Sequence, residues 1–395
     1  MPHGGVLESF IVIFAGAAVL ATLSLYTRQP MLVAYVALGI ILGPHGAALV
    51  SDPALLADMA EFGIIFLLFL VGLDLPPAKL RNMFSATFAT ALLSTVVFFG
   101  VGFGLLYLFG YSTNEALIGG LAAVFSSTIL GIKLLPTTAL HHRHIGEVVV
   151  SLLLIQDLFA IIAILLLNSL GSAASASAEG LSGLVGTVFL GLPALAGIAF
   201  LGVRFVVLPL LRKFDAFHEY IFLLAIGWCV SIAGLAHSLD LSFEIGAFVA
   251  GVSLATSPIS QYIAENLRPL RDFFLVLFFF SVGAGLQIDL LGDVWMASVC
   301  FALALVVVKP PVFALLLSKQ AKQMREVSWE VGFRLGQASE FTLLLSFIAL
   351  NYNMIGAAAG LVIQFATVLS LLVSSYLVIF RYPTPISPNP RLRRD

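Results

Sequence analysis

The chain has 395 residues, 60% hydrophobic and only 10% charged, with a formal net charge of −2 and a mean hydropathy of +1.08. A soluble domain carries about 25% charged residues, so this composition excludes a globular aqueous domain and predicts an all-α polytopic membrane protein. No basic tract invites nucleic acid, and Cys229 and Cys300 both lie inside apolar runs, where neither a disulfide framework nor a thiolate metal site is expected.

Apolar runs separated by short polar or Pro/Gly breaks predict thirteen spans, at about 6–26, 30–50, 54–75, 83–109, 114–135, 146–170, 182–211, 217–238, 243–257, 266–288, 293–318, 327–350 and 354–380. The first is read as a retained helix, because no basic region or cleavage site accompanies it. Gly171–Ala178, rich in Ser and Ala, is expected to be a flexible loop after the sixth span. The transmembrane domain then fills 1–381 and a Pro-rich, basic tail fills 382–395. Loop charge gives the orientation. Every Lys and Arg except Arg204, Lys309 and Arg334 falls in the loops after odd-numbered spans, at the span ends bordering those loops, or in the tail. By the positive-inside rule the N-terminus is outside and the C-terminus cytoplasmic.

Two segments repeat at nearly one displacement. Ala34–Pro44 resembles Ala247–Pro258, and Phe66–Asp74 resembles Leu277–Gly285, displacements of 213 and 211 residues. Spans 1–6 (residues 1–170) would recur as spans 8–13 (217–380), with span 7 (182–211) as linker, and an offset of seven spans inverts the second unit. The same displacement lays Gly119–Thr128 against Val331–Glu340, each a run of glycines followed by a polar cluster at mid-span. Such interrupted spans in both halves predict crossed, broken helices 5 and 12, whose free carbonyls and half-helix ends can bind ions. Ser126, Ser127 and Thr128 could instead bond only to their own helix.

The sixth span holds Gln156 and Asp157 side by side in hydrocarbon. A carboxylate at mid-membrane costs about 3 kcal/mol even on insertion scales, so an ion or proton site is expected, a structural polar pair being the alternative. Lys309, followed by Pro310 and Pro311, lies too deep to snorkel and is expected to act as a countercharge near the broken helices or Asp157. Arg334 and Glu340, six residues apart, do not share a helix face. Each is expected to pair with another helix, Arg334 structurally and Glu340 along the pathway. His141, His142 and His144 form a cytoplasmic group, read as a solvated turn with a pH sensor or metal site as alternatives. Asp74 reads as turn chemistry, and Glu61 and Glu244 as outer-mouth charges.

Leu38–Pro44, Glu61–Asp74, Ser126-Ser-Thr128, Gln156-Asp157, Phe279–Gly283, Lys309 and Gly336–Phe341, in this order over almost the whole chain, resemble the membrane domain of the cation:proton antiporter-2 family, which includes the Kef-type potassium efflux transporters. The resemblance implies a six-helix core moving against a dimerisation domain, a homodimer, and a monovalent cation or proton bound at Asp157 with Gln156 beside it. Kef-type members carry a cytoplasmic nucleotide-binding domain, and this sequence stops just after span 13, so nucleotide regulation is not expected; a separate regulatory subunit is. Ala338 and Ser339 stand where the family often has Gly. Gln rather than a second Asp before Asp157 looks like the electroneutral branch.

The leading expectation is a secondary transporter, not an enzyme, exchanging K+ or Na+ for a proton across a bacterial-type inner membrane, without cofactor, metal or nucleic-acid partner. A channel-like potassium efflux pathway is the alternative, and an organic-anion symporter using Lys309 or Arg334 a third. Residue types leave K+ against Na+ open, with stoichiometry and direction.

Overall fold

The computed structural model describes residues 6–50, 52–73, 77–136, 144–175, 191–214, 217–239, 241–257, 260–320 and 323–394. These are almost entirely helical, as lipid requires of a chain whose backbone groups must be satisfied internally. In order they are α1 (Val6–Tyr26), α2 (Met31–Leu42), α3 (Pro53–Leu73), α4 (Pro77–Leu108), α5 (Thr113–Val124), α6 (Thr128–Lys133) and α7 (His144–Ser175). Next, α8 (Leu192–Gly202) continues through a π turn at Val203–Val207 into α9 (Leu208–Lys213), followed by α10 (His218–Ser238), α11 (Phe243–Ala255) and α12 (Ser260–Ala284). The series closes with α13 (Leu291–Gln320), α14 (Arg325–Arg334), α15 (Glu340–Asn351) and α16 (Ala357–Arg381). Among the described residues nine helical stretches are long and apolar enough to cross a membrane, and α2, α11 and α15 are shorter apolar helices. The protein is a multi-pass membrane protein.

Some boundaries differ from expectation. Helix α2 stops at Leu42, because Gly43 and Pro44 turn the chain back, with Ala47 N–H donating to Ile41 O at 2.7 Å and Val50 N–H to Leu42 O at 3.0 Å. The stretch expected to be a loop from Gly171 remains helical through Ser175, since a run of Ala and Ser contains no breaker strong enough to end α7. Residues 182–190 of the expected seventh span, Asp74, His141 and His142 lie outside the described residues, and of His144 only the backbone, at the start of α7, is described.

Four helices are held by glycine contacts at which no side chain fits. A Cβ on Gly39 of α2 would run into Phe280 O and Ala284 N of α12, and one on Gly283 of α12 into Val36 O of α2. Likewise a Cβ on Gly72 of α3 would meet Phe248 O of α11 at 2.6 Å, and one on Gly251 of α11 would meet Phe69 O of α3. Small residues let membrane helices approach backbone to backbone, where dispersion replaces the missing hydrophobic drive. Aromatic pairs such as Phe66 on Phe274, with centroids 4.4 Å apart, fill the flanks.

The N-terminus of α5 is tied twice. Ser112 and Glu115 form a reciprocal capping box, and Glu115 Oε1 also accepts Gly356 N–H at 3.1 Å, the residue before α16. Glu115→Ala removes both ties and should cost about 1–2 kcal/mol, read as a lower unfolding midpoint in detergent, whereas Glu115→Gln should keep much of the stability. An unchanged midpoint for Glu115→Ala would discount the tie.

Candidate functional site

Two helix breaks meet in the interior. Helix α5 ends at Val124, Phe125 is extended (φ −83, ψ 147), and α6 starts after Ser127 (φ −67, ψ 119). Helix α14 ends at Arg334, and α15 starts after extended Ser339 (φ −107, ψ 160). Serine restarts both half-helices: Ser127 Oγ accepts Leu130 N–H at 3.1 Å and Ser339 Oγ accepts Phe341 N–H at 3.2 Å. Cross-links join the breaks, with Ser126 Oγ donating to Leu335 O at 2.8 Å and Thr342 Oγ1 to Ala122 O at 2.9 Å.

Charge follows the half-helix ends. Helix α14 presses on α13 because Gly332 leaves no room for a Cβ against Pro310, which sets the neighbouring Lys309 beside the breaks. The fully buried Lys309 ammonium donates to Phe125 O at 2.6 Å, Gln337 O at 2.9 Å and Ser126 Oγ at 3.4 Å, and stands 5.3 Å from the Phe98 ring centroid. It thus sits where α5 and α14 both present carbonyl ends, the negative poles of their dipoles. Glu340 sits at the opposite poles. It begins α15, its Oε1 accepts Ile129 N–H from the first turn of α6 at 3.3 Å, and Ser339 Oγ lies 3.5 Å from its Oε2.

Asp157, buried on α7, accepts from Thr128 Oγ1, at 2.9 Å through Oδ2 and 3.1 Å through Oδ1. Asp157 and Glu340 both reach the start of α6, through Thr128 Oγ1 and Ile129 N–H respectively. Gln156 is fully buried and donates through Nε2 to Val124 O at 3.3 Å, and its Oε1 has no hydrogen-bond partner. A carboxyl group, a hydroxyl and a free amide oxygen therefore gather beside an opened helix. Such hard oxygens suit a proton or a partly dehydrated cation.

Of the hydroxyls expected at the site, Thr128 reaches Asp157, Ser126 is committed to Leu335 O and Ser127 to capping α6. The expected partner of Arg334 on another helix is corrected. Its guanidinium pairs with Glu330 one turn earlier on α14, at 2.6 Å, because an i, i+4 spacing brings the two side chains together. It also donates to Leu134 O and Pro383 O, each at 2.8 Å, joining the end of α6 to the tail. Sequence reasoning missed Phe98 and the buttress of α16, where Ser374 Oγ donates to Gln337 Oε1 at 2.9 Å and Ser370 Oγ accepts Ala338 N–H at 3.1 Å. Thr367, Ser370 and Ser374 follow at spacings of three and four on α16, a one-face hydroxyl pattern that was the available signal.

Known proteins of similar sequence are transporters. The chain is 29% identical over 383 residues to K(+) efflux antiporter 5 of Arabidopsis thaliana, covering 94% of this chain and 66% of that protein. It is 30% identical over 370 residues to K(+) efflux antiporter 4 of the same plant, covering 88% and 59%. To the iron transporter MagA of Paramagnetospirillum magneticum it is 28% identical over 372 residues, covering 93% and 84%. The chain thus spans about three-fifths to two-thirds of the plant relatives' length. Among solved structures, the sodium proton antiporter MjNhaP1 of Methanocaldococcus jannaschii superposes with a TM-score of 0.65 at 15% identity, over 93% of this chain and 94% of that one. This likeness shows the fold. The model of the transmembrane sodium/hydrogen exchanger family matches residues 10–380. The chain is a member of the sodium/hydrogen exchanger transmembrane family.

Proposed function

We propose that this protein exchanges a monovalent cation, K+ in preference to Na+, for a proton across the membrane, electroneutrally and by alternating access. The observation that carries the reading is the buried Asp157–Thr128 pair at the opened start of α6, with the free oxygen of Gln156 on the adjoining residue. One carboxylate that takes either a proton or a cation couples the two fluxes without any further device. K+ is favoured by the names of the plant relatives. Lys309 and Glu340 neutralise the half-helix ends, so the break persists whichever ligand Asp157 holds.

The glycine contacts support the inverted repeat. Gly39 and Gly251 stand 212 residues apart and Gly72 and Gly283 stand 211 apart, within one residue of the repeat's displacements, and the two contacts, α2 on α12 and α3 on α11, exchange under that relation. Two serine-capped breaks bonded to each other support crossed helices within thirteen spans. On loop charge the N-terminus lies outside and the C-terminus in the cytoplasm. A homodimer in a bacterial-type inner membrane and a separate regulatory subunit complete the proposal.

Proteoliposomes with an internal pH dye, an imposed pH gradient and no membrane potential test it. K+ and Na+ should move protons, K+ at lower concentration, and choline should not. Ferrous iron belongs in the same series because of MagA's name. Cation flux without a pH change would overturn exchange in favour of a channel.

A further inference from the structure

A second polar locus lies away from Asp157. A cavity of about 250 Å³ opens between the end of α12, the end of α15 and the start of α16, lined by Ser281, Gln287, Phe347, Asn351, Ala357 and Gln364 together with aliphatic side chains. It has room for about eight waters at ~30 Å³ each, enough for a cation with its first hydration shell.

Two of its wall groups are unusual for a membrane helix. Ser281 is 5% exposed and its hydroxyl has no hydrogen-bond partner among the described residues, whereas Ser94, Ser298 and Ser370 each spend theirs on a carbonyl of their own helix. Gln364, also 5% exposed, lies two turns inside α16 on the cavity wall. A buried hydroxyl left unmatched costs stability unless water or a ligand meets it.

The depth is set by three helices. Gln364 precedes Ser370 by six residues, and Ser370 holds Ala338 N–H in the break, so Gln364 stands ~9 Å beyond the break at 1.5 Å per residue. Phe347 follows Glu340 by seven residues on α15, ~10 Å along the same face. Its ring meets Phe278 of α12 edge-on, with centroids 6.2 Å apart, one turn inward of Ser281. An aromatic floor therefore separates the cavity from the level of Glu340.

We propose that Ser281 and Gln364 form a waiting station for a partly hydrated monovalent cation in this vestibule, about two helical turns short of the break before α15. The inference rests on the exchange reading and on the orientation that puts Asn351 outside. Every polar side chain lining the cavity is neutral. Two of the three helix termini at the cavity, the ends of α12 and α15, present carbonyl poles that favour a cation, against one amino pole at the start of α16, and without a carboxylate nothing offsets a divalent charge. Neutral oxygens hold a monovalent cation loosely enough to pass it on.

The test uses the full chain with Cys229→Ala and Cys300→Ala. Ser281→Cys in intact cells should react with an impermeant thiosulfonate, and K+ or Na+ should slow the reaction relative to equal choline. Inverted vesicles should react little. No reaction in intact cells, or a rate indifferent to cation, the result for a cavity holding only water, overturns the station. In transport, Gln364→Leu should raise the half-saturating cation concentration on the outer face about fivefold, as for one lost neutral ligand. The inner-face value and the maximal rate should hold. No change, or an equal rise on both faces, overturns it too. Exchange in the wild type with both readouts flat sinks the station alone. Cation protection of Ser281→Cys without proton movement in the wild type sinks the exchange reading alone.

Discussion

Asp157→Asn leaves the protein folded and removes cation–proton exchange. The substitution is nearly isosteric, and Thr128 Oγ1 can still donate to the remaining carbonyl oxygen where it now donates to Oδ2 at 2.9 Å. It also replaces a buried ionisable group by a neutral one, so stability should hold or rise. On the proposed exchange, what it takes away is the carboxyl that both carries the proton and neutralises the cation. A lost charge-assisted ligand is worth about 3 kcal/mol, which predicts a fall of about 100-fold or more in exchange. The same dye assay reads it, beside a melting curve that should match the wild type. Substantial exchange in a well-folded Asp157→Asn protein would move the coupling group elsewhere, with Glu340 next to be tested.

Lys309→Met should do the reverse, striking the fold before the chemistry. Methionine fills similar space but leaves Phe125 O and Gln337 O without their donor, and both half-helix carbonyl ends without a charge. It also leaves Glu340 without the matching positive charge that the paired breaks contain. Removing one member of a buried charge arrangement costs about 3–5 kcal/mol. We expect a much lower unfolding midpoint in detergent and little monodisperse protein. Lys309→Arg keeps the charge and should recover part of the midpoint, its larger head crowding Phe98. If Lys309→Met melts like the wild type, the ammonium does not hold the breaks together.

What could be read from the chain was what a single residue reveals by its own cost. Asp157 and Lys309 stand out because a charge in hydrocarbon needs a reason. The interruptions at Phe125–Ser127 and Leu335–Ser339 were legible because glycines followed by hydroxyls weaken a helix. The partners were not. Nothing local says that Lys309 faces Phe125, 184 residues away, or that Ser126 reaches Leu335, 209 residues away. The Ser and Thr cluster read as three equivalent ligands, yet capping and cross-linking absorb two of them, a division set by backbone direction and not by residue type. The pairing of Arg334 with Glu330 was legible from spacing and was passed over for a longer-range partner. The fold of the tail was hidden too. Thr384 N–H donates to Leu392 O at 2.9 Å and Arg394 N–H to Thr384 O at 3.2 Å, closing a loop that proline content alone suggests would stay open.

The two glycine contacts carry a mechanical consequence. Side chains that interdigitate can swap rotamers and let helices creep past one another, but main chain lying on main chain has no such slack. Shifting α2 along α12 by even one residue would drive the side chain of Leu38 or Ile40 into the place Gly39 occupies against Phe280 O, and α3 is locked to α11 in the same way. Each pair is a riveted joint. Displacement in this protein is therefore expected where side chains separate the helices, and the riveted pairs serve as the fixed bed against which the remainder is free to travel.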